Sequence, residues 1–131
     1  ILLTKLPQLD NYIKRRCEIA DLYSQLLKDT TLILPEVSTH NQHSYYLYVV
    51  RHPKRDLIIS RLKERNIFLN ISYPWPIHLM TGYSCLGYKE GDLPKTEAAA
   101  KEIFSLPMYP TLTNDKIIYV CDQIKTILNN I

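Results

Sequence analysis

At 131 residues, 46% of them hydrophobic, the chain has the size and composition of one domain able to bury roughly two-thirds of the surface it would expose unfolded. Its net charge of +3 comes from 16 Lys and Arg spread among 13 Asp and Glu without a long same-sign run, which argues against a dedicated nucleic-acid or membrane surface. Apolar runs fall short of the roughly 20 residues of a membrane span, and Cys17, Cys85 and Cys121, odd in number and lacking a CxxC spacing, indicate neither a disulfide framework nor zinc, so a cytoplasmic location is expected.

The series Leu2, Leu6, Leu9, Ile13, Cys17, Ala20, Tyr23 and Leu27 steps by three or four and predicts one face of a long helix. No N-cap residue precedes it, so the chain reads as beginning inside a helix. Pro7 removes a backbone donor there and predicts an offset first segment over Ile1 to Leu6. Lys14, Arg15, Glu18 and Asp21 lie on the opposite, solvated face. Leu32-Ile33-Leu34-Pro35 is a short apolar run closed by proline, expected as an edge strand. Ser44 to Arg51, SYYLYVVR, is expected as a central strand, because both alternating sets of side chains are apolar strand formers. Asp56 to Arg65 predicts a helix with Leu57, Ile58 and Leu62 inward, and Ile67 to Ile71 predicts a second strand.

Leu69 to Gly91, LNISYPWPIHLMTGYSCLGYKEG, has no regular period and gathers aromatics, prolines, glycines and a single histidine. Segments of this kind in a compact domain tend to line sites, which makes it the functional candidate. Two outcomes are open for it. Tyr73, Trp75 and His78 shape a pocket for a polar ligand on a backbone stiffened by Pro74 and Pro76, or the two rings cover the sheet end and His78 packs as an ordinary polar side chain.

Pro94 suits the first position of a helix that continues through Glu97, Ala98, Ala99, Ala100, Lys101 and Glu102. Leu106 to Pro110 is held extended by its prolines. Thr113 is expected to cap a last helix with Ile117, Val120, Cys121, Ile124, Ile127 and Leu128 on its buried face. This order predicts an α+β domain, with helices packed on a small, largely antiparallel sheet.

The chemistry-bearing residues make no complete catalytic set. His40, His43, His52 and His78 lack metal-ligand spacing, no GxSxG or Cys-Gly signature marks a nucleophile, and neither GxxxxGK[ST] nor GxGxxG is present. A nucleic-acid-binding sheet would use Tyr46 and Tyr48 with the basic residues from Arg51 to Arg65. The apolar character of both strand faces and the lack of a KGFGFVxF-like run speak against it.

Four separated blocks share one resemblance: KLPQLDNYIKRR (Lys5 to Arg16), HSYYLYVVR (His43 to Arg51), SYPWPIHLMTGYSCLGYKEGDLP (Ser72 to Pro94) and SLPMYPTLT (Ser105 to Thr113). Together they resemble the C-terminal portion of the DegT/DnrJ/StrS family of pyridoxal-phosphate-dependent sugar aminotransferases. The resemblance implies that residues 1–131 are the C-terminal small domain of a fold-type I aminotransferase. Residues 1–28 would then end the long helix that joins a large domain to this one. It further implies a homodimeric parent that transfers an amino group, usually from glutamate, to a keto sugar carried on a nucleotide.

Pyridoxal 5'-phosphate would be the parent's cofactor. The family's Schiff-base lysine has no match here, so no catalytic residue is assigned and the chain alone should be inactive and bind no cofactor. By position, Tyr73 and His78 match the Tyr and second His of the family's HYPxPxH-like motif and are the expected substrate contacts, with Asn70 and Tyr83 as neighbours. Ser72 and Tyr46 stand where many relatives have His, which puts the sugar preference in question. The other reading is a stand-alone, non-catalytic interaction or dimerisation module.

Overall fold

The N-terminal helix breaks where Pro7 requires it. Helix α1 (Leu2–Lys5) passes into a tight 3-10 turn (Leu6–Gln8) that contains Pro7, and α2 (Leu9–Leu27) then runs for 19 residues. A proline lacks the N–H and crowds the turn before it, and the tighter turn absorbs that mismatch. The computed structural model describes residues 2–131; Ile1, the first residue of the expected offset segment, lies outside them. The expected apolar face of this helix divides in two. Ala20, Tyr23 and Leu27 are buried and Ile13 and Cys17 are half-buried, with Ile19, outside the expected series, buried beside them, whereas Leu2 is 85% exposed and Leu6 and Leu9 are open to solvent as well. Periodicity identifies residues that share a face; only the C-terminal half of that face meets the rest of the fold.

The sheet is smaller than its sequence suggests. Strand β1 (Tyr48–Arg51) pairs antiparallel with β2 (Ile103–Leu106), Tyr48 opposite Leu106 and Val50 opposite Phe104, and these four side chains point into the core. The expected strand from Ser44 starts four residues late because Tyr45 takes a left-handed backbone, φ 47°, that an extended ladder does not accommodate. Arg51 exchanges both backbone hydrogen bonds with Ile33, each 3.0 Å, which puts the expected edge segment beside β1 as a single bridge. The expected strand over Ile67 to Ile71 also reduces to one bridge: Ser105 N–H donates to the Asn70 carbonyl at 2.8 Å. β1 is therefore central, between Ile33 and β2, as its two apolar faces imply. β2 itself, at the end of a helical pattern, was not expected to begin before Leu106.

Helices close over the sheet to give an α+β domain. Tyr23 of α2 lies against Tyr48 with ring centroids 5.1 Å apart, and its hydroxyl donates to the Pro107 carbonyl at 3.0 Å. Helix α5 (Asn114–Leu128) buries Ile117, Val120, Cys121, Ile124 and Ile127 against α2 and α3, while Leu128 is half-buried. Each fully buried aliphatic side chain contributes about 1.5–3 kcal/mol relative to exposure. Thr113 occupies the N-cap position with an extended backbone, but its hydroxyl makes no capping bond, and Asp115 in the first turn complements the helix dipole instead. Helix α3 (Arg55–Lys63) turns Ile58 and Leu62 inward; Leu57, expected beside them, is exposed. Helix α4 (Pro94–Glu102) starts with Pro94 as expected and runs directly into β2.

Candidate functional site

Leu69 to Gly91 leaves the edge of β2 and returns to the start of α4. At its first end the Asn70 carbonyl holds Ser105, and the Asn70 amide donates to Ser72 Oγ at 3.1 Å. Two short 3-10 segments, Ile77–Leu79 and Thr81–Leu86, shape the middle. At the far end Gly91 has φ 93°, a conformation that costs a side chain dearly and glycine little.

The anchor of this stretch is Glu97, on α4. His78 Nε2 lies 3.0 Å from its Oε1, the Gly91 N–H donates to both carboxylate oxygens at 3.0 and 3.1 Å, and the Leu93 N–H donates to Oε1 at 3.3 Å. His78 and Glu97 are 7% and 8% exposed, so the pair is interior. Burial by itself pushes the Glu97 carboxyl up, but the hydrogen bonds from His78, Gly91 and Leu93 together outweigh it and hold the group below the usual carboxylate range. Tyr88 sets its ring edgewise to the imidazole, centroids 6.1 Å apart.

Around this interior pair the aromatics face outward. Tyr73 is 66% and Trp75 67% exposed, and Tyr83 and Tyr88 are exposed too. The two rings on the proline-stiffened segment thus do not cover the sheet end, while His78 does pack inside. Among the described residues no hydrogen bond joins any two of Asn70, Tyr73, His78 and Tyr83. In the sequence Glu97 reads only as a strong helix former, and its anchoring role emerges with the fold. The available signal was its place one position beyond the glutamate of a capping box, close enough to reach back to the residues before Pro94.

A second feature lies away from this stretch. Leu2, Leu6, Leu9 and Tyr12 of the N-terminal helices face Tyr46 and Pro110 across an open, apolar groove of about 800 Å³. Arg16 borders it but is committed inward, to the carbonyls of Tyr45, Tyr46 and Met108. Of the lysines, Lys125 is half-buried and the others are exposed. A lysine that carries pyridoxal phosphate needs an enclosed setting with a carboxylate for the ring nitrogen, and the residues of this chain do not fit that role. Among the described residues no cluster of His, Cys, Asp and Glu suits a metal ion, and no helix is long and apolar enough to cross a membrane.

The sequence profile of the DegT/DnrJ/EryC1/StrS aminotransferase family matches residues 1–125. The dTDP-3-amino-3,4,6-trideoxy-alpha-D-glucose transaminase of Micromonospora megalomicea subsp. nigra is 47% identical over all of this chain and 36% of its own length. The pleiotropic regulatory protein of Geobacillus stearothermophilus is 39% identical over 95% of this chain and 34% of its own. Among solved structures, S. venezuelae DesV in complex with a ketimine intermediate superposes with a TM-score of 0.94 at 30% identity, over 99% of this chain and 35% of that one. The chain thus spans about a third of the length of the curated relatives it matches.

Proposed function

The chain belongs to the DegT/DnrJ/EryC1/StrS aminotransferase family, and we propose that it is the C-terminal, substrate-facing domain of an enzyme that moves an amino group from an amino acid, usually glutamate, to a keto sugar on a nucleotide. The observation that carries this reading is the outward aromatic stretch: Tyr73 and Trp75 are two-thirds exposed on a backbone fixed by Pro74 and Pro76. Rings presented this way suit the faces of a sugar or a nucleobase, which cost little to desolvate and reward flat contact. In this reading Tyr73 and His78 touch the substrate, with Asn70 and Tyr83 beside them. Pyridoxal phosphate is the parent's cofactor and supplies the electron sink when bound; the residues here bind and orient the sugar nucleotide and carry no step of the cofactor's chemistry.

Residues 1–28 are, in the same reading, the end of the helix that joins this domain to a larger one, and the parent is a cytoplasmic homodimer. The apolar groove along Leu2, Leu6, Leu9 and Tyr12 supports that arrangement, since a surface of that kind is normally covered. It also keeps the second reading in play, a non-catalytic interaction module that uses the same groove. One assay separates them: the protein carrying this chain is purified and incubated with glutamate and a nucleotide-linked keto sugar. Formation of 2-oxoglutarate in step with an amino sugar is expected, and His78→Ala should weaken use of the sugar while pyridoxal phosphate stays bound. A protein that holds no pyridoxal phosphate and transfers no amino group would be the interaction module.

A further inference from the structure

Glu97 lies outside every set of residues so far given a part in binding, yet it holds one side of the His78 ring. The carboxylate accepts from two backbone N–H groups as well as facing the imidazole, and an ionised carboxylate can only accept. Nε2 of His78 must therefore carry a proton, and in the tautomer that holds only that proton Nδ1 keeps its lone pair as an acceptor. Nδ1 has no hydrogen-bond partner among the described residues, yet none of the buried side-chain nitrogens and oxygens among them is sealed from solvent without one. Nδ1 is thus not fully sealed from solvent, although the residue as a whole is almost wholly interior.

We propose that Glu97 is a positioning residue for the sugar-nucleotide site: by holding Nε2–H of His78 it presents Nδ1 outward as an acceptor for a hydroxyl or N–H of the ligand. The same carboxylate binds Gly91 and Leu93, so it ties the end of the aromatic stretch to the helix that carries it. One group thereby fixes both the polarity of the imidazole toward the ligand and the path of the backbone that bears the rings. The inference rests on the reading above that this stretch faces substrate.

The test uses the full-length aminotransferase that contains this chain, in three variants. Glu97→Gln places an amide, with only one accepting atom, where His78, Gly91 and Leu93 all donate. It should raise KM for the nucleotide-linked keto sugar about tenfold, the equivalent of one well-placed hydrogen bond. The half-reaction with glutamate alone, and the absorbance of the bound cofactor, should be unchanged, which a general loss of structure would not allow. His78→Gln keeps a donor toward Glu97 but has no acceptor in the place of Nδ1, so it should lose as much affinity for the sugar as His78→Ala. It carries the test if Glu97→Gln fails to fold. Wild-type KM in His78→Gln would overturn the proposal, since His78 would then be only a strut. A raised KM in His78→Ala beside a wild-type value in Glu97→Gln would overturn it too, while leaving the substrate-facing role of the stretch standing. If the wild-type protein transfers no amino group to any nucleotide-linked keto sugar, both the proposal and the reading beneath it fall.

Discussion

Arg16 donates from a single nitrogen, Nη1, to the Tyr45 carbonyl at 3.0 Å, and so bolts α2 to the one residue before β1 whose backbone is left-handed. The same nitrogen reaches the carbonyls of Tyr46 at 3.0 Å and Met108 at 3.1 Å, which joins the segments leading into β1 and out of β2. A charged donor to a partly buried carbonyl contributes more than a neutral one, and carbonyls left unpaired carry a desolvation cost. Arg16→Ala should lower stability by about 2 kcal/mol, read as a shift in the urea midpoint at unchanged slope. Arg16→Lys should recover little, because the lysine nitrogen ends one bond short of the place of Nη1 and its ammonium is more strongly hydrated. A Lys variant as stable as the wild type would show that charge alone, not geometry, matters at this joint.

His52 makes stability fall on mild acidification. Its Nδ1 accepts from the Lys54 N–H at 3.0 Å, and its Nε2 lies 3.2 Å from Thr31 Oγ1, so the buried ring is held in its neutral form. Burial, then the Lys54 ammonium, lowers its pKa from the ordinary 6.5, against an opposing pull from the Glu102 carboxylate. Below pH 6.5 the unfolded chain binds the proton more readily than the folded one. Stability is therefore full above that pH and lost as the pH drops, until the folded-state ring protonates in turn. Urea midpoints on either side of pH 6.5 should diverge in the wild type and converge in His52→Gln. An equal pH response in both proteins would assign the acid sensitivity elsewhere.

Two glycines of the aromatic stretch should answer oppositely to alanine. A Cβ at Gly82 or Gly91 would meet nothing within 4 Å, so crowding plays no part at either position. Gly91 has φ 93°, and Gly91→Ala should cost about 1–3 kcal/mol of backbone strain, or shift the turn and loosen its N–H from Glu97. Gly82, inside the 3-10 segment with no positive φ, should be neutral or gain about 0.4–1 kcal/mol through a less flexible unfolded chain. Thermal unfolding of the two variants side by side is the check, and a destabilised Gly82→Ala would contradict the assignment.

The cysteines should separate by reactivity. Cys121 is fully buried on α5, and burial pushes its thiol up to about 12, whereas Cys85 is exposed in the second 3-10 segment. The thiolate is the reactive species, so alkylation of the folded protein with iodoacetamide should label Cys85 and spare Cys121 until denaturant is added. Native labelling of Cys121, located by peptide mass mapping, would mean that α5 opens far more readily than its packing implies.

Local rules are what the chain's order of residues made readable. The Pro7 break, the Pro94 start of α4 and the buried stripe of α5 each follow from contacts within a turn or two, and the matching family blocks are strings of neighbours. Strand lengths were not readable in that way. Tyr45 and Phe68 have the composition of strand residues, but Tyr45 is turned left-handed beside Arg16 and Phe68 is 70% exposed beyond a single bridge at Asn70. Pairing partners lie far away in the chain, so propensity alone cannot say where a ladder stops. The half-exposed face of α1 and α2 is of the same kind: its period is written in the sequence, but what covers it is not. The His78–Glu97 pair joins residues 19 apart through a turn at Gly91, and only the folded chain brings that carboxylate under the imidazole and turns the aromatic rings around it outward.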